Sequence, residues 1–83
     1  MKLKKIGIAG CGVIGSKIAE SISSHLRNKA VLNALYDINP AKARGLAGKL
    51  RKKGIVVLSL AELIERSDLV VEASSAASAA DIA

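Results

Sequence analysis

Lys5-Ile6-Gly7-Ile8-Ala9-Gly10-Cys11-Gly12-Val13-Ile14-Gly15 decides how this chain folds, because the period of the apolar residues changes within it. Lys5 to Ala9 is a short apolar run rich in isoleucine and ended by Gly10, which reads as a buried strand. Beyond Val13, Ile14, Ile18, Ile22 and Leu26 recur every four positions, while Ser16, Lys17, Glu20, Ser21 and Ser24 occupy other faces. That spacing predicts an amphipathic helix from about Val13 to Asn28. The strand hands over directly to the helix.

The same alternation continues outward. Val31 to Tyr36 is a second apolar run, containing Asn33 and ending at Asp37. Asn39 followed by Pro40 then forms a helix N-cap with proline at the first helical position, and Ala43, Leu46, Ala47 and Leu50 make one apolar stripe. A third strand at about Val56 to Leu58 leads into Ser59-Leu60-Ala61-Glu62, a capping box flanked by Leu58 and Leu63 at the positions of a hydrophobic staple. The helix it opens runs from Leu60 to about Arg66. Leu69 to Ala73 is a fourth strand, and the Ala- and Ser-rich residues after it begin a fourth helix capped by Ser74 or Ser75. Strands alternating with helices demand parallel pairing and right-handed crossovers. The expected fold is α/β: a parallel sheet of about four strands in the order 3-2-1-4, with helices on both faces.

Composition limits what such a chain can be. Its 83 residues are 51% hydrophobic with one aromatic, Tyr36, which argues against disorder. They make one domain at most. A single cysteine and a single histidine exclude an internal disulfide and supply too few ligands for a structural zinc, and a reducing, cytoplasmic setting is the default expectation. No apolar stretch approaches the roughly 20 residues that span a bilayer, so no membrane partner is expected. The basic start, Met1-Lys2-Leu3-Lys4-Lys5, imitates an export signal, but its apolar core of about four residues is too short. The net charge of +6 is spread through the chain without interleaved aromatics, so nucleic acid is not an expected partner. Its densest group, Lys49, Arg51, Lys52 and Lys53, precedes Gly54. There cations stabilise a helix C-terminus, with the glycine in the left-handed capping conformation.

Gly10, Gly12 and Gly15 form GxGxxG at the strand–helix junction. Gly10 allows the tight turn, Gly12 lets a pyrophosphate approach the backbone, and Gly15 lets the helix lie close to the strand. The free amides and positive end of that helix hold the phosphates, so Gly10, Cys11, Gly12, Val13, Ile14 and Gly15 are candidate cofactor-binding residues. Asp37, 22 residues past Gly15 at the end of the second strand, is placed to accept hydrogen bonds from ribose hydroxyls and to repel a 2′-phosphate. Ile38 beside it joins the set. NAD is therefore favoured over NADP, with Lys42 and Arg44 as cations that oppose the preference. Cys11 sits where a helix dipole can lower a thiol pKa, but with no histidine partner it reads as a small residue packed beneath the dinucleotide. His25 belongs with the C-terminal end of the first helix. Ser74 and Ser75, after the fourth strand, flank the crevice where ligands bind in this topology and complete the candidate site on the nicotinamide side. No catalytic residue is assigned.

These stretches, with Ala34-Leu35-Tyr36-Asp37, Pro40, Lys42, Ala43 and Ser67-Asp68-Leu69-Val70-Val71-Glu72-Ala73-Ser74, resemble the N-terminal part of L-aspartate dehydrogenases, particularly those of archaeal type. The glycine turn and the second strand are shared with glucose-fructose oxidoreductase, inositol dehydrogenase and homoserine dehydrogenase relatives. Only Val-Val-Glu-Ala-Ser leans towards aspartate dehydrogenase. The resemblance implies oxidation of L-aspartate to iminoaspartate with NAD or NADP, an entry to NAD biosynthesis. It also implies a substrate pocket and active-site histidine in a later domain. Residues 1–83 then form an incomplete Rossmann-like domain that binds a nicotinamide dinucleotide without turnover. The rival readings are a stand-alone NAD-binding module, or an interaction protein that self-associates through the apolar edge of the fourth strand.

Overall fold

The computed structural model describes residues 3–73. Three parallel strands form the sheet: β1 (Lys4–Ala9) lies between β2 (Ala30–Tyr36) and β3 (Leu69–Glu72). Three helices connect them, α1 (Val13–Ser24), α2 (Pro40–Lys49) and α3 (Leu60–Glu65). The α/β class and the parallel pairing are as the alternation of periods predicts, but the strand count is not. The apolar run at 56–58 makes only an isolated parallel bridge, Val56 beside Leu35, closed by Leu35 N–H to the Ile55 carbonyl (2.7 Å) and Val57 N–H to the Leu35 carbonyl (2.9 Å). The fourth helix expected after residue 73 lies outside the described residues.

Helices cover both faces of the sheet. Ile6, Ile8, Leu32 and Leu35 pack with Ala19 and Ile22 of α1 and with Ala43, Leu46 and Ala47 of α2. Ala9 and Ala34 pack with Leu63 of α3 and with Val57 on the other side. In β1 the strand period of two sends Ile6 and Ile8 to one face and Ala9 to the other, whereas in β2 the register shift at Asn33 puts Leu32 and Leu35, three residues apart, on the same face.

α1 departs from expectation in length and orientation. It stops at Ser24 rather than continuing to Asn28, because the Leu26 carbonyl takes the N–H groups of Lys29 and Ala30 and turns the chain into β2. Its buried residues are Gly15, Ala19 and Ile22, whereas Ile14 and Leu26 are 51% and 44% exposed. The reason is geometric: four residues advance about 40° beyond a full turn, which turns Ile14 about 80° away from Ile22, and Leu26 lies past the end of the helix. One face of a straight helix cannot bury all four.

α2 begins as read. Asn39 Oδ1 accepts the Ala41 N–H at 3.1 Å, and Pro40 opens the helix. Its other end differs, because Arg51, with φ 57°, is the residue in the left-handed conformation. Arg51 N–H reaches the Gly48 carbonyl (3.1 Å) and Lys52 N–H the Ala47 carbonyl (3.0 Å), which is the paired pattern of a Schellman end. Gly54 also has positive φ, 74°, but three residues later, in the link to the bridge.

α3 keeps one arm of its capping box, with Glu62 N–H donating to Ser59 Oγ at 3.1 Å, while the Glu62 carboxylate faces Arg66 at 3.9 Å. The staple does not form: Leu63 is fully buried but Leu58 is 73% exposed. Two residues not singled out in the sequence fasten α3 instead. A Cβ on Gly7 would run into Ser67 Oγ and lie 3.0 Å from Leu63 Cδ1, so this strand glycine permits the close approach. Asn33 is the unpaired residue where the β1–β2 register shifts, and its Nδ2 donates to the Arg66 carbonyl at 2.6 Å, capping the end of α3 from the sheet.

Candidate functional site

The site grows from the end of β1. Gly10 has φ 103°, a conformation costly for any residue with a Cβ, and its N–H donates to the Tyr36 carbonyl at 2.8 Å. The chain thus turns sharply off β1 while staying bonded to β2. Gly12 follows as the N-cap of α1, and Ser16 N–H to the Gly12 carbonyl (2.9 Å) is the first bond of the helix. No side chain caps this end, and the first turn holds no acidic residue. The N–H groups of the first turn lack intrahelical acceptors by construction, and the helix dipole makes the end electropositive.

The glycines divide by what a side chain would meet. A Cβ on Gly15 would collide with the Gly10 carbonyl oxygen and sit 2.9 Å from its carbon and 3.6 Å from Ala73 Cβ. A Cβ on Gly12 would meet nothing within 4 Å. Gly15 therefore serves the packing of helix on turn. The space at Gly12 is open, as a cradle for a ligand requires. A groove of about 680 Å³ runs from there between α1 and α2, bordered by Gly12, Val13, Lys17, Lys42, Gly45 and Lys49. Lys49 meets Glu20 across it at 3.2 Å. Of the two cations weighed against NAD preference, Lys42 borders this groove and Arg44 does not.

Asp37 sits just past β2 and bonds to main chain on both sides. Its Oδ2 accepts Cys11 N–H and its Oδ1 accepts Asn39 N–H, each at 2.8 Å. A carboxylate offers about four acceptor positions, so two remain for a ligand. Ile38, next to it, is 91% exposed. The structure thus brings Gly10, Cys11, Gly12, Val13, Ile14, Gly15, Asp37 and Ile38 to one end of the sheet. Ser74 and Ser75 lie outside the described residues.

Cys11 is a packing residue here. Its Sγ points under the turn to the Tyr36 carbonyl at 3.5 Å, and burial, then the charge of Asp37, pushes the thiol up from 9.0 to about 11. Both effects favour the protonated thiol, in keeping with a packing role. His25 caps the C-terminal end of α1, its N–H on the Ser21 carbonyl at 2.8 Å and its Nδ1 3.1 Å from Ser24 Oγ. Among the described residues no three His, Cys, Asp or Glu side chains gather to hold a metal, and no helix is long and apolar enough to cross a membrane.

A family model described as the NAD-binding domain of homoserine dehydrogenase matches residues 10–83. The L-aspartate dehydrogenase of Methanosarcina mazei is 45% identical over 71 residues, covering 86% of this chain and 26% of that protein. That of Methanocella arvoryzae is 40% identical over 79 residues, covering 95% of this chain and 28% of its own length. The chain thus spans 26–28% of the length of these two relatives. Among solved structures, the UDP-N-acetylglucosamine 3-dehydrogenase GnnA of Acidithiobacillus ferrooxidans superposes with a TM-score of 0.74 at 23% identity, over 90% of this chain and 23% of that one. GenD2 from gentamicin A biosynthesis, solved in complex with NAD, gives 0.72 at 20% identity, over 89% of this chain and 21% of that one. Both share the fold. With a matching model that runs from the glycine turn to its last residue, the chain belongs to the family of homoserine dehydrogenase-type NAD-binding domains.

Proposed function

We propose that the chain binds the adenosine and pyrophosphate of a nicotinamide dinucleotide, as the cofactor-binding part of an oxidoreductase of the L-aspartate dehydrogenase type. The observation that carries this is the bare N-terminus of α1, opening onto empty space at Gly12. An anion is what such an end lacks. Amides of Gly12, Val13, Ile14 and Gly15 would take the phosphates, the remaining acceptor positions of Asp37 the ribose hydroxyls, and exposed Ile38 the face of the adenine. Ser74 and Ser75 remain our assignment for the nicotinamide side. The Asp37 charge supports NAD over NADP, opposed by Lys42.

In the parent reaction the oxidised dinucleotide supplies the hydride acceptor. L-aspartate, becoming iminoaspartate, gives up a hydride and a proton. The relatives named L-aspartate dehydrogenase support that substrate, and a cytoplasmic setting goes with it. No residue of this chain is assigned to the proton transfer, so we expect binding by the 83 residues and no aspartate-dependent NADH formation. A second reading rests on β3, which is an edge strand among the described residues and exposes Leu69 and Val70. Such an edge invites pairing with another copy. Sedimentation that stays monomeric at high concentration would remove it.

Calorimetric titration with NADH and NADPH tests the main reading. We expect NADH to bind more tightly than NADPH, and Gly12→Val to abolish binding while keeping the wild-type unfolding temperature. A folded wild type that binds neither would overturn it.

A further inference from the structure

Asp37 holds the glycine turn as well as facing its ligand side. We propose that Asp37 is a positioning residue whose carboxylate clamps Cys11 to the start of the β2–α2 turn and so fixes the phosphate-binding amides before any ligand arrives. The inference rests on the dinucleotide reading above and deepens it.

The turn has few other restraints. Two of its three residues are glycines, which lose more conformational freedom on ordering than any other residue. Gly10 is tied by its N–H to the Tyr36 carbonyl, and two longer contacts of 3.5 Å join the Cys11 thiol to the same oxygen and Ser16 Oγ to the Cys11 carbonyl. Between Gly10 and the first bond of α1, the Cys11 N–H is the group that meets a charged acceptor, at 2.8 Å. Hydrogen bonds to an ionised acceptor are roughly twice as strong as neutral ones. The other carboxylate oxygen holds the Asn39 N–H at 2.8 Å, and Asn39 itself caps α2, so the clamp links the N-terminal ends of two helices. It follows that the Cys11 N–H points to Asp37 and not to the phosphates. The anion cradle then begins at Gly12.

A ribose ligand and a clamp respond oppositely to a probe that lacks ribose hydroxyls. The probe is 2′,3′-dideoxyadenosine 5′-diphosphate, titrated by calorimetry into the wild-type chain, Asp37→Ala and Asp37→Asn, with NADH in parallel. If Asp37 only receives hydroxyls, Asp37→Ala binds the probe as well as the wild type or better, because a negative charge beside the phosphates is gone. The clamp predicts the reverse, an affinity about tenfold lower despite the lost charge. Asp37→Asn, with one acceptor oxygen for two amides, should fall between. A probe affinity in Asp37→Ala that equals or exceeds the wild type overturns the clamp.

Amide hydrogen exchange in the ligand-free chain tests the clamp independently of binding. Cys11 and Asn39 should be protected in the wild type, and Cys11 should exchange about tenfold faster in Asp37→Asn. Unchanged exchange there contradicts the inference. Failure of the wild type to bind probe and NADH alike would instead remove the dinucleotide reading, leaving the exchange rates to decide the clamp.

Discussion

Replacing Gly15 by alanine should unfold the chain at a markedly lower temperature, whereas the same change at Gly12 should not. Alanine gains about 1 kcal/mol over glycine from helix propensity alone. At position 15 the added Cβ lands on the Gly10 carbonyl, 2.9 Å from its carbon, where ordinary contacts between heavy atoms lie near 3.5–4.0 Å. Neither partner can swing aside, because both atoms are backbone and Gly10 is bonded to the Tyr36 carbonyl. α1 must then retreat from the turn, loosening the packing of Ala19 and Ile22 against the sheet. Overpacking of about 1–3 kcal/mol, with those lost contacts added and the propensity gain subtracted, leaves a net cost near 2 kcal/mol. In a domain of this size that lowers Tm by about 10 °C. At Gly12, φ is −82° and the new methyl meets nothing, so Tm should move by no more than about 3 °C. Thermal unfolding followed by circular dichroism reads both. A Gly15→Ala chain as stable as the wild type, or a Gly12→Ala chain equally damaged, would refute the division of labour between the two glycines.

Two further outcomes follow from the same geometry. The folded state holds the Cys11 thiol protonated up to about 11, so stability should be intact below pH 9 and decline between 9 and 11, where the unfolded chain already releases that proton. Tm should therefore drop about 5 °C more in the wild type than in Cys11→Ser between pH 9 and about 10, and equal slopes would contradict the burial argument. Arg51, left-handed at φ 57°, carries a strain that glycine does not, and Arg51→Gly should raise Tm by about 3–6 °C. A fall in Tm would show that the Arg51 side chain contributes more than its backbone costs.

What the sequence revealed and what it hid divide along the range of the interactions. The Asn39–Pro40 start of α2 and the Ser59 cap of α3 each depend on residues within a few positions, and both stand where their local chemistry puts them. The α1 face was misplaced because isoleucine spacing weighs side-chain size, while the sheet demanded close approach and chose Gly15 and Ala19. The run at 56–58 makes only a bridge, because an apolar pattern shows that residues are buried but not how far they pair with the neighbouring strand. Leu58 faces outward for a related reason: a staple needs its first residue turned back onto the helix, which sequence spacing does not fix. Gly7 and Asn33 were legible in principle, since a glycine or a polar amide inside an apolar strand marks a close approach or a bulge. The pair of hydrogen bonds that Asp37 accepts from Cys11 and Asn39 was not, because the first of them joins residues 26 apart in the chain.

The most direct test of the central claim is an NADH titration followed residue by residue through backbone amide NMR of the chain. The account predicts saturable shifts concentrated at Gly12, Val13, Ile14 and Gly15, with Ile38 also moving, and their loss in Gly12→Val. Shifts centred elsewhere on the surface, or none at all in a folded chain, would contradict it.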